Sequence, residues 1–368
     1  MNWMIGGYYG LGNIGDEMMC RCIVEWIWEI DPEGSVSVLM AKGGKASRLW
    51  IPDEVIVHPF PEGGVGACRR LMSAVDVYIV GGGTCFHRFG VAGFYQNLTA
   101  RLLGIEVLWI GIGADHLGSL KNRFKGLLTL SCAKAITVRD VESAEYINSL
   151  RRGLKTPVYP DLVFNYMNVQ DWPMPENVNV NGDELVVAWR ELTPYLDPEH
   201  LELLDCNAAK IIIKLAEKLG FSRVILINTA DAVDGEACSR LHEEIFRFGS
   251  NINLVLVNGV SLEEKLAWLG QAGAVISARL HPLMLATFAN RPCFGLAYAD
   301  KMNRFASLLR GALTEPLEQW LEDLNVVVDT ALVALRQTPC YVRPLAELRS
   351  DARGHRKSLE NINSTSLK

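Results

Sequence analysis

Residues 3–17 read WMIGGYYGLGNIGDE, and their pattern indicates the fold class of the first half of the chain. A short apolar run leads into a loop rich in glycine, and a helical pattern then runs from Asp16 to Ile30. This order is typical of α/β folds with parallel strands. Because glycine lets an anion approach main-chain N–H groups, the loop predicts a place for a phosphate or carboxylate beside the helix N-terminus.

The same alternation of apolar runs and helical patterns continues along the chain. Further strands are predicted at 36–40, 55–57, 77–80, 107–110, 136–138, 185–188, 224–227, 254–256, 275–277 and 293–297. A stretch rich in Pro and Asn separates two series of strands and predicts a linker at 169–183. We therefore expect an α/β domain at 1–168, a second at 184–335, and a C-terminal helix and polar tail at 336–368. Ligands in such folds bind at the carboxyl ends of the strands.

Composition excludes several classes of protein. The 368 residues include 36 Lys and Arg against 42 Asp and Glu, a net charge of -6, which argues against a nucleic-acid partner. Nine cysteines without a CxxC pattern predict reduced, buried thiols rather than a disulfide framework or a zinc site. The N-terminus lacks the pattern of a signal peptide, and no apolar run reaches the roughly 18 residues of a transmembrane helix. We expect a cytoplasmic protein.

The first glycine loop leaves two alternatives open. Gly10, Gly12 and Gly15 match the GxGxxG fingerprint of dinucleotide-binding folds. That fingerprint requires an acidic residue at the end of the second strand, where this chain has Lys42. A tight turn without a ligand is the other alternative, and Asn13 then occupies a left-handed turn position instead of donating to a ligand.

A second glycine loop follows a predicted strand, in residues 77–84 (VYIVGGGT). Consecutive glycines after a strand permit close approach of a ligand, so Gly82 and Gly83 are candidate binding residues. His87 follows within one turn and is a further candidate, although a lone histidine is more often structural.

Residues 275–301 (VISARLHPLMLATFANRPCFGLAYADK) carry the densest set of candidates. Arg279 and His281 follow a strand and precede a helix, and Lys301 follows the next strand. Because parallel strands end at one edge of a sheet, cations and a proton-transfer group are expected to meet an anionic substrate there. The alternative pairs Arg279 with a carboxylate and makes His281 a helix cap. Arg139, at the end of another strand, predicts a further inward cation or else a surface Arg–Asp pair.

Taken together, GYYGLGNIGDE, VGGGT, ITVRDVESA, ARLHPL and YADK resemble, in that order, the polysaccharide pyruvyl transferase family, closest to its bacterial cell-wall-polysaccharide type. The resemblance runs from residue 6 to about residue 305. It implies a GT-B-like fold, in which two Rossmann-like domains with mostly parallel sheets face a central cleft. It also implies transfer of the pyruvyl group of phosphoenolpyruvate to two hydroxyls of a sugar, which forms a ketal and releases phosphate.

Carried over residue by residue, the resemblance points to Asn13, Arg139, Arg279, His281 and Lys301. Arginine suits a planar carboxylate and lysine suits a phosphate, while a histidine titrates near neutral pH and suits general acid catalysis. We therefore expect His281 and Arg279 to be catalytic. The expected substrate-binding residues are Asn13, Arg139 and Lys301, together with the glycine-loop candidates Gly12, Gly82, Gly83 and His87. No metal and no cofactor is expected, since phosphoenolpyruvate is the donor substrate and the seven histidines lack metal-ligand spacing.

The acceptor side of the reaction implies a saccharide, either lipid-linked or polymeric. A lipid-linked acceptor would place the protein at the inner face of the membrane as a peripheral protein. Lys121, Arg123 and Lys125 lie in an apolar and basic helical stretch that suits such a contact. The simpler interpretation of these three residues is a solvated helix face.

Three other functions compete with this one. A nucleotide-sugar glycosyltransferase of GT-B fold is the first, although the stretch between Lys265 and Thr314 has no Glu, and many retaining enzymes of that class carry two in this region. A saccharide-binding protein that kept the fold without catalysis is the second. An NAD-dependent oxidoreductase is the third, and the missing ribose-binding acid argues against it.

Overall fold

The computed structural model describes residues 1–88, 90–173, 175, 178, 182–248, 252–311 and 313–366. The chain divides into two compact units. Unit 1 comprises Met1–Asn165 and Ala346–Lys368, and unit 2 comprises Tyr166–Leu345. None of the described helices is long and apolar enough to cross a membrane.

Unit 1 alternates strands and helices, as its sequence pattern predicts. Its strands are β1 (Asn2–Gly6), β2 (Ser35–Leu39), β3 (Ile56–His58), β4 (Val77–Gly81), β5 (Thr84–His87), β6 (Gly90–Val91), β7 (Glu106–Ala114) and β8 (Ala135–Val138). Its first helices are α1 (Ile14–Ile30), α2 (Gly64–Met72), α3 (Phe94–Leu102), α4 (Leu120–Cys132) and α5 (Val141–Leu150).

The sheet of unit 1 has the spatial order of a Rossmann fold. Its parallel strands run β3-β2-β1-β4-β7, and β8 lies along the other edge of β7. Strand β5 pairs with Gly113 and Ala114, just beyond the residues of β7 that pair with β4, so it continues the line of β4 after an interruption by glycine. Strand β6 turns back antiparallel to β5. When the β5–β6 hairpin is left out, β7 and β8 are the fifth and sixth strands of the sheet, and the spatial order is 3-2-1-4-5-6.

Unit 2 repeats the same arrangement. Its strands are β9 (Glu184–Ala188), β10 (Arg223–Ile227), β11 (Asn253–Val257), β12 (Ala274–Ser277), β13 (Cys293–Ala297) and β14 (Thr314–Pro316). Its helices are α6 (Pro198–Leu219), α7 (Gly235–Arg247), α8 (Leu262–Gln271), α9 (Leu280–Phe288), α10 (Asp300–Ala306), α11 (Leu317–Glu322) and α12 (Leu324–Ala334). The strands run β11-β10-β9-β12-β13-β14, and every neighbouring pair is parallel. The predicted fold class, α/β with two Rossmann-like and mostly parallel sheets, is confirmed.

The C-terminal segment differs from the predicted polar tail. Helices α13 (Leu345–Ala352) and α14 (Lys357–Ser366) follow unit 2 in sequence, yet the chain from residue 346 belongs to unit 1. Leu348, Ala352, His355 and Leu359 recur at helical spacing and are all buried. This apolar stripe explains the packing, since it gives an otherwise polar segment a face to bury.

The predicted linker at 169–183 is only partly described. Its residues 174, 176, 177 and 179–181 lie outside the described residues. Before them, Val169–Asp171 forms a 3₁₀ turn, and Trp172 is buried, donating from Nε1 to the carbonyl of Tyr166 at 2.8 Å. The start of this stretch is thus packed structure of unit 2, since the indole supplies a large apolar surface to bury.

Candidate active site

Strand order reverses at one place in each sheet. In a sheet of order 3-2-1-4-5-6 this place lies between the first and fourth strands, and ligands bind outside the carboxyl ends there. In unit 1 these strands are β1 and β4, which lead into the first and second glycine loops. In unit 2 they are β9 and β12, which lead toward Arg190 and Arg279.

The first glycine loop binds an anionic group of the same chain, the carboxylate of Glu17. The N–H groups of Gly10 and Gly12 donate to Oε1 of Glu17, at 2.9 and 3.2 Å. Glu17 lies in the first turn of α1 and is fully buried. The Gly12 N–H therefore serves an internal carboxylate that would otherwise be buried without donors, and a substrate-binding role for Gly12 stays a prediction.

The second glycine loop interrupts the line of strands β4 and β5 in the sheet. Gly82 and Gly83 have φ of 62° and 68°, a region that favours glycine, and a Cβ on Gly82 would lie 2.6 Å from Sδ of Met19. The Gly82 N–H donates to the carbonyl of Ile110 at 2.9 Å, and the Gly83 carbonyl accepts from Gly113 at 2.7 Å. The Gly82 N–H is thus used by the sheet, and a role for Gly82 in the close approach of a ligand stays a prediction. A binding role for Gly83 stays a prediction.

Asn13 lies at the N-cap of α1 with extended backbone, φ -79°, so the left-handed position considered for it is wrong. Its Nδ2 donates to Oδ2 of Asp16 at 2.6 Å. A Cβ on Gly83 would lie 3.1 Å from Oδ1 of the same carboxylate, which places the two glycine loops against each other. Asn13 and Asp16 together present an amide and a carboxylate at the carboxyl ends of β1 and β4.

Tyr8 and His87 form a second polar pair at this edge. The Tyr8 hydroxyl and His87 Nε2 share a hydrogen bond of 3.0 Å. Burial, reinforced by Cys85 and Asp16, raises the pKa of Tyr8 to about 12. Burial lowers the pKa of His87 and outweighs the opposing effect of Asp115. At neutral pH the pair is therefore an uncharged phenol beside an uncharged imidazole.

Arg139 points inward from the end of β8. Its side chain is only 7% exposed, and its Nη1 lies 3.0 Å from Oδ2 of Asp161. Nη2 donates to the hydroxyl of Thr84 at 3.2 Å. Burial acts to lower its pKa, but the carboxylates of Asp161 and Asp140 outweigh it and raise the pKa. The alternative of a surface Arg–Asp pair is wrong, because the guanidinium lies inside unit 1 beside the second glycine loop.

A cavity of about 280 Å³ opens beside these groups in unit 1. It lies at the carboxyl ends of β1 and β2 and reaches the start of α3. Its walls are mostly apolar and aromatic, with a lysine and an amide among them. Its lining includes Tyr8, Leu11, Met40, Lys42, Phe60 and Gln96.

In unit 2, Arg279 is the N-cap of α9 and pairs with a carboxylate, as the alternative interpretation predicted. Its Nε and Nη2 both donate to Asp234, the latter at 2.6 Å, and this carboxylate is fully buried. The Arg279 backbone N–H donates to the Ser277 hydroxyl at 2.9 Å. A bidentate pair of this kind fixes the plane of the guanidinium, so Asp234 orients Arg279 at the end of β12.

His281 is the second residue of α9 and is 9% exposed. Arg279 lies between the end of β12 and the start of α9, as predicted, but α9 begins at Leu280, so His281 lies inside the helix and not before it. The interpretation of His281 as a helix cap is wrong, because Arg279 occupies the cap position and no side chain caps this helix.

Lys301 lies at the start of α10, just after β13, and shares its surroundings with two residues that sequence reasoning left out. Its Nζ is 5.3 Å from the ring centre of Tyr298, and the guanidinium of Arg190 is 3.9 Å from the same ring. Burial acts to raise the pKa of Tyr298, but the charges of Lys301, Arg190 and Arg279 together lower it. Arg190, Arg279 and Lys301 therefore form a cation cluster around one phenol.

The residues that were missed had weaker signals. Arg190 follows the predicted strand 185–188 by two residues, as Arg279 follows 275–277, so the same rule applied to β9 would have found it. Tyr298 stands three residues before Lys301 in YADK, and the sequence pattern alone predicts no role for it. Asp234 carries no local signal, since it is far from Arg279 in sequence.

Comparison with known proteins identifies a family for this chain. The chain matches a family model described as polysaccharide pyruvyl transferase over residues 13–300, which takes in Asn13, Arg139, Arg279 and His281 and ends one residue before Lys301. The comparison with curated proteins gave no significant match.

Solved structures of similar fold include UDP-GlcNAc 2-epimerases. The enzyme from Methanocaldococcus jannaschii has 14% identity and a TM-score of 0.67 over 98% of this chain and 99% of that one. The enzyme from Rickettsia bellii has 10% identity and a TM-score of 0.65 over 99% and 96%. These likenesses show the fold, which is GT-B-like in having two Rossmann-like units in one chain. Because the family model covers most of the chain, this protein belongs to the polysaccharide pyruvyl transferase family.

Proposed function

We propose that this protein transfers the pyruvyl group of phosphoenolpyruvate to two hydroxyls of a sugar in a polysaccharide or its lipid-linked precursor. One hydroxyl adds across the enol double bond, and the methylene carbon gains a proton to become a methyl group. Phosphate then leaves, and the second hydroxyl attacks the same carbon. One hydroxyl proton ends on the methyl group and the other leaves with phosphate, so the products are a ketal and hydrogen phosphate.

The observation that carries this proposal is the cation cluster of unit 2. Phosphoenolpyruvate has a carboxylate and a phosphate close together, and an acidic protein must gather local positive charge to bind it. Three cations, Arg190, Arg279 and Lys301, surround Tyr298. The carboxylate of Asp234 is paired with one of them, Arg279. A hydrogen bond to a charged group contributes roughly 1.5 to 3 kcal/mol, so two or three account for a micromolar to millimolar donor.

His281 is the proposed general acid of the first step. It lies two residues from Arg279, in the first turn of α9, beside the place proposed for the donor. An imidazole that delivers the proton to the methylene carbon lets carbon–oxygen bond formation proceed without a free carbanion. Such general acid catalysis contributes roughly 10² to 10⁴-fold.

Unit 1 supplies the proposed acceptor groups. Asn13 and Asp16 offer a donor and an acceptor for sugar hydroxyls, and the uncharged Tyr8–His87 pair offers more. The neighbouring cavity has aromatic walls, Tyr8 and Phe60, of the kind that pack against the apolar faces of sugar rings. Asp16 is the group that we propose to accept a proton from a sugar hydroxyl. Arg139 stays a proposed anion-binding residue whose position depends on Asp161.

The test is incubation of the protein with phosphoenolpyruvate and a panel of lipid-linked and model glycosides, with phosphate release and acceptor mass followed together. The proposal predicts equal amounts of released phosphate and of acceptor that has gained one pyruvyl ketal. Transfer of a sugar from a nucleotide sugar, with no reaction of phosphoenolpyruvate, would instead identify a glycosyltransferase. Saccharide binding with neither reaction would identify a non-catalytic binding protein.

A further inference from the structure

Three neighbouring helices of unit 1 carry an unusual charge. Helices α2, α3 and α4 (GVGACRRLM, FYQNLTARL and LKNRFKGLLTLSC) contain no Asp or Glu. They contain six basic residues, in a chain whose net charge is -6. These are Arg69, Arg70, Arg101, Lys121, Arg123 and Lys125. Helix α3 packs against both α2 and α4, so the positive charge is gathered on one side of the unit.

Helix α4 also turns its apolar stripe toward solvent. Leu120, Phe124 and Leu127 recur at positions i, i+4 and i+7, which place them on one face. Leu120 is 82% exposed and Phe124 is 63% exposed, while Gly126 and Thr129 on the opposite face are buried. A helix that faces only water normally shows the reverse pattern, so this face is built for a different neighbour.

Helix α3, which packs against α4, also exposes apolar side chains, and basic groups lie on both helices. Leu102, near the end of α3, is 77% exposed, and Tyr95 near its start is exposed as well. The two helices are joined by Lys125, whose Nζ lies 5.3 Å from the ring centre of Phe94. Lys121 and Arg123 flank the stripe of α4 and are exposed. We call the exposed residues of α3 and α4, which include Lys121 and Arg123, the basic helix face.

We propose that the basic helix face binds the surface of an anionic phospholipid membrane. Exposed leucine and phenylalanine side chains with flanking Lys and Arg are the composition of helices that lie in a membrane interface, where the apolar groups enter the acyl boundary and the cations meet lipid phosphates. The charge selects this partner: an acidic chain that concentrates six cations on acid-free helices is complementary to anionic headgroups, whereas a second copy of the same face would be repelled by it.

This surface also lies next to the proposed acceptor region. Gln96 and Gly93, at the start of α3, line the unit 1 cavity, while Tyr95 between them in sequence is exposed. A membrane-bound face at α3 would therefore hold the cavity close to the lipid surface from which a lipid-linked saccharide extends. Membrane binding itself does not depend on the proposed reaction and is tested without it.

The experiment is co-sedimentation of the full chain with vesicles of phosphatidylcholine alone and of phosphatidylcholine mixed with phosphatidylglycerol. We expect binding to the anionic vesicles, little to the neutral ones, and a decline as salt is raised. The variant Leu120→Ser with Phe124→Ser should lower the partition coefficient by about tenfold. The variant Lys121→Gln with Arg123→Gln should lower it by about as much and also weaken its salt dependence.

Phe246→Ser is the matched control, because Phe246 is 78% exposed on α7 of unit 2 and should bind vesicles as the natural protein does. Circular dichroism and thermal unfolding of every variant confirm that the fold is intact. Absence of binding to anionic vesicles, or binding by both double variants as strong as that of the natural protein, would overturn the proposal. So would a concentration-dependent dimer in sedimentation velocity that Leu120→Ser with Phe124→Ser abolishes, since the face would then cover a second copy.

Discussion

The two units have the same strand order, but the charged groups at the carboxyl ends of their strands differ. In unit 1 the glycine loop after β1 gives two N–H groups to its own Glu17, and Arg139 is paired with Asp161. In unit 2 the loops after β9, β12 and β13 bring three cations around Tyr298, with Asp234 as an orienting carboxylate. Topology thus fixes where a ligand approaches, and the residues just after each strand fix which charge it meets.

This contrast is the reason for our proposal that unit 2 binds the anionic donor and unit 1 contributes groups for the neutral saccharide. A glycine loop at a helix N-terminus is ordinarily taken as an anion site. Here the internal carboxylate of Glu17 occupies that role and leaves a surface of amide, carboxylate, phenol and imidazole groups that suits hydroxyls.

Replacing His281 should have the largest effect. We expect His281→Ala to lower kcat by roughly 10² to 10⁴-fold, because no other described group of unit 2 is proposed to deliver the proton. His242→Ala, on α7 of the same unit, is the control and should keep its activity. Thermal unfolding checks that the buried site still folds, and near-normal turnover by His281→Ala would remove this residue from the mechanism.

Replacing Glu17 tests whether the first glycine loop is structural. Glu17→Ala should lower the free energy of unfolding by about 3 kcal/mol, since the Gly10 and Gly12 N–H groups would lose a buried acceptor. Glu17→Gln keeps an oxygen acceptor and should lose less. Urea unfolding measures both, with Glu25→Ala, which removes a partly exposed ion pair with Arg21, expected to cost at most about 1 kcal/mol. A loss below that of Glu25→Ala would show that the loop does not depend on Glu17.

The docking of the C-terminal segment on unit 1 should depend on pH through His355. Its ring nitrogens contact the Thr137 hydroxyl at 2.7 Å and the Pro160 carbonyl at 3.0 Å, and burial lowers its pKa to about 4. Because the unfolded histidine takes up its proton near pH 6.5 and the folded one near pH 4, stability falls as pH falls through this window. The loss reaches roughly 3 kcal/mol at pH 4.

Unfolding measured from pH 7 to pH 4 checks this slope. In His355→Gln the part of the slope that belongs to this histidine should disappear, although the variant starts from a lower stability at pH 7. Identical slopes for the two proteins would show that the imidazole is not held neutral in the folded state.

Removing a cation from the cluster should have the smallest of these effects. Lys301→Gln should raise KM for phosphoenolpyruvate by roughly 10 to 100-fold with a smaller change in kcat, because a charge-assisted hydrogen bond is lost. Lys218→Gln, an exposed lysine at the end of α6, is the matched control. If both variants keep the natural KM, the donor does not bind at this cluster.

The sequence predicts most strands of both sheets because buried parallel strands are short runs of apolar and β-branched residues between glycine-rich turns. It misses the far end of β7, where Gly111 and Gly113 interrupt the pattern. Glycine is needed there because a Cβ on Gly113 would lie 2.9 Å from Nη2 of Arg139, so the exception is itself part of the site. The stripe that docks α14 is equally visible in retrospect, but its polar composition conceals it.

The candidate site likewise contains residues that local sequence pattern predicts and residues that it does not. Arg279, His281 and Lys301 were found because each follows a strand within a few residues. Glu17 was not distinguished from Asp16, since both are acids in the first turn of α1 and only packing decides which one turns inward. Asp234 pairs with Arg279 across 45 positions of sequence, a contact that local pattern does not contain.

Equilibrium binding of phosphoenolpyruvate, measured by calorimetry without acceptor, shows whether the cation cluster of unit 2 binds the donor. The account predicts that the natural protein binds phosphoenolpyruvate and that Arg190→Gln loses roughly tenfold or more in affinity, whereas Lys218→Gln binds as the natural protein does. Binding of a nucleoside diphosphate in place of phosphoenolpyruvate, or unchanged affinity in Arg190→Gln, would contradict it.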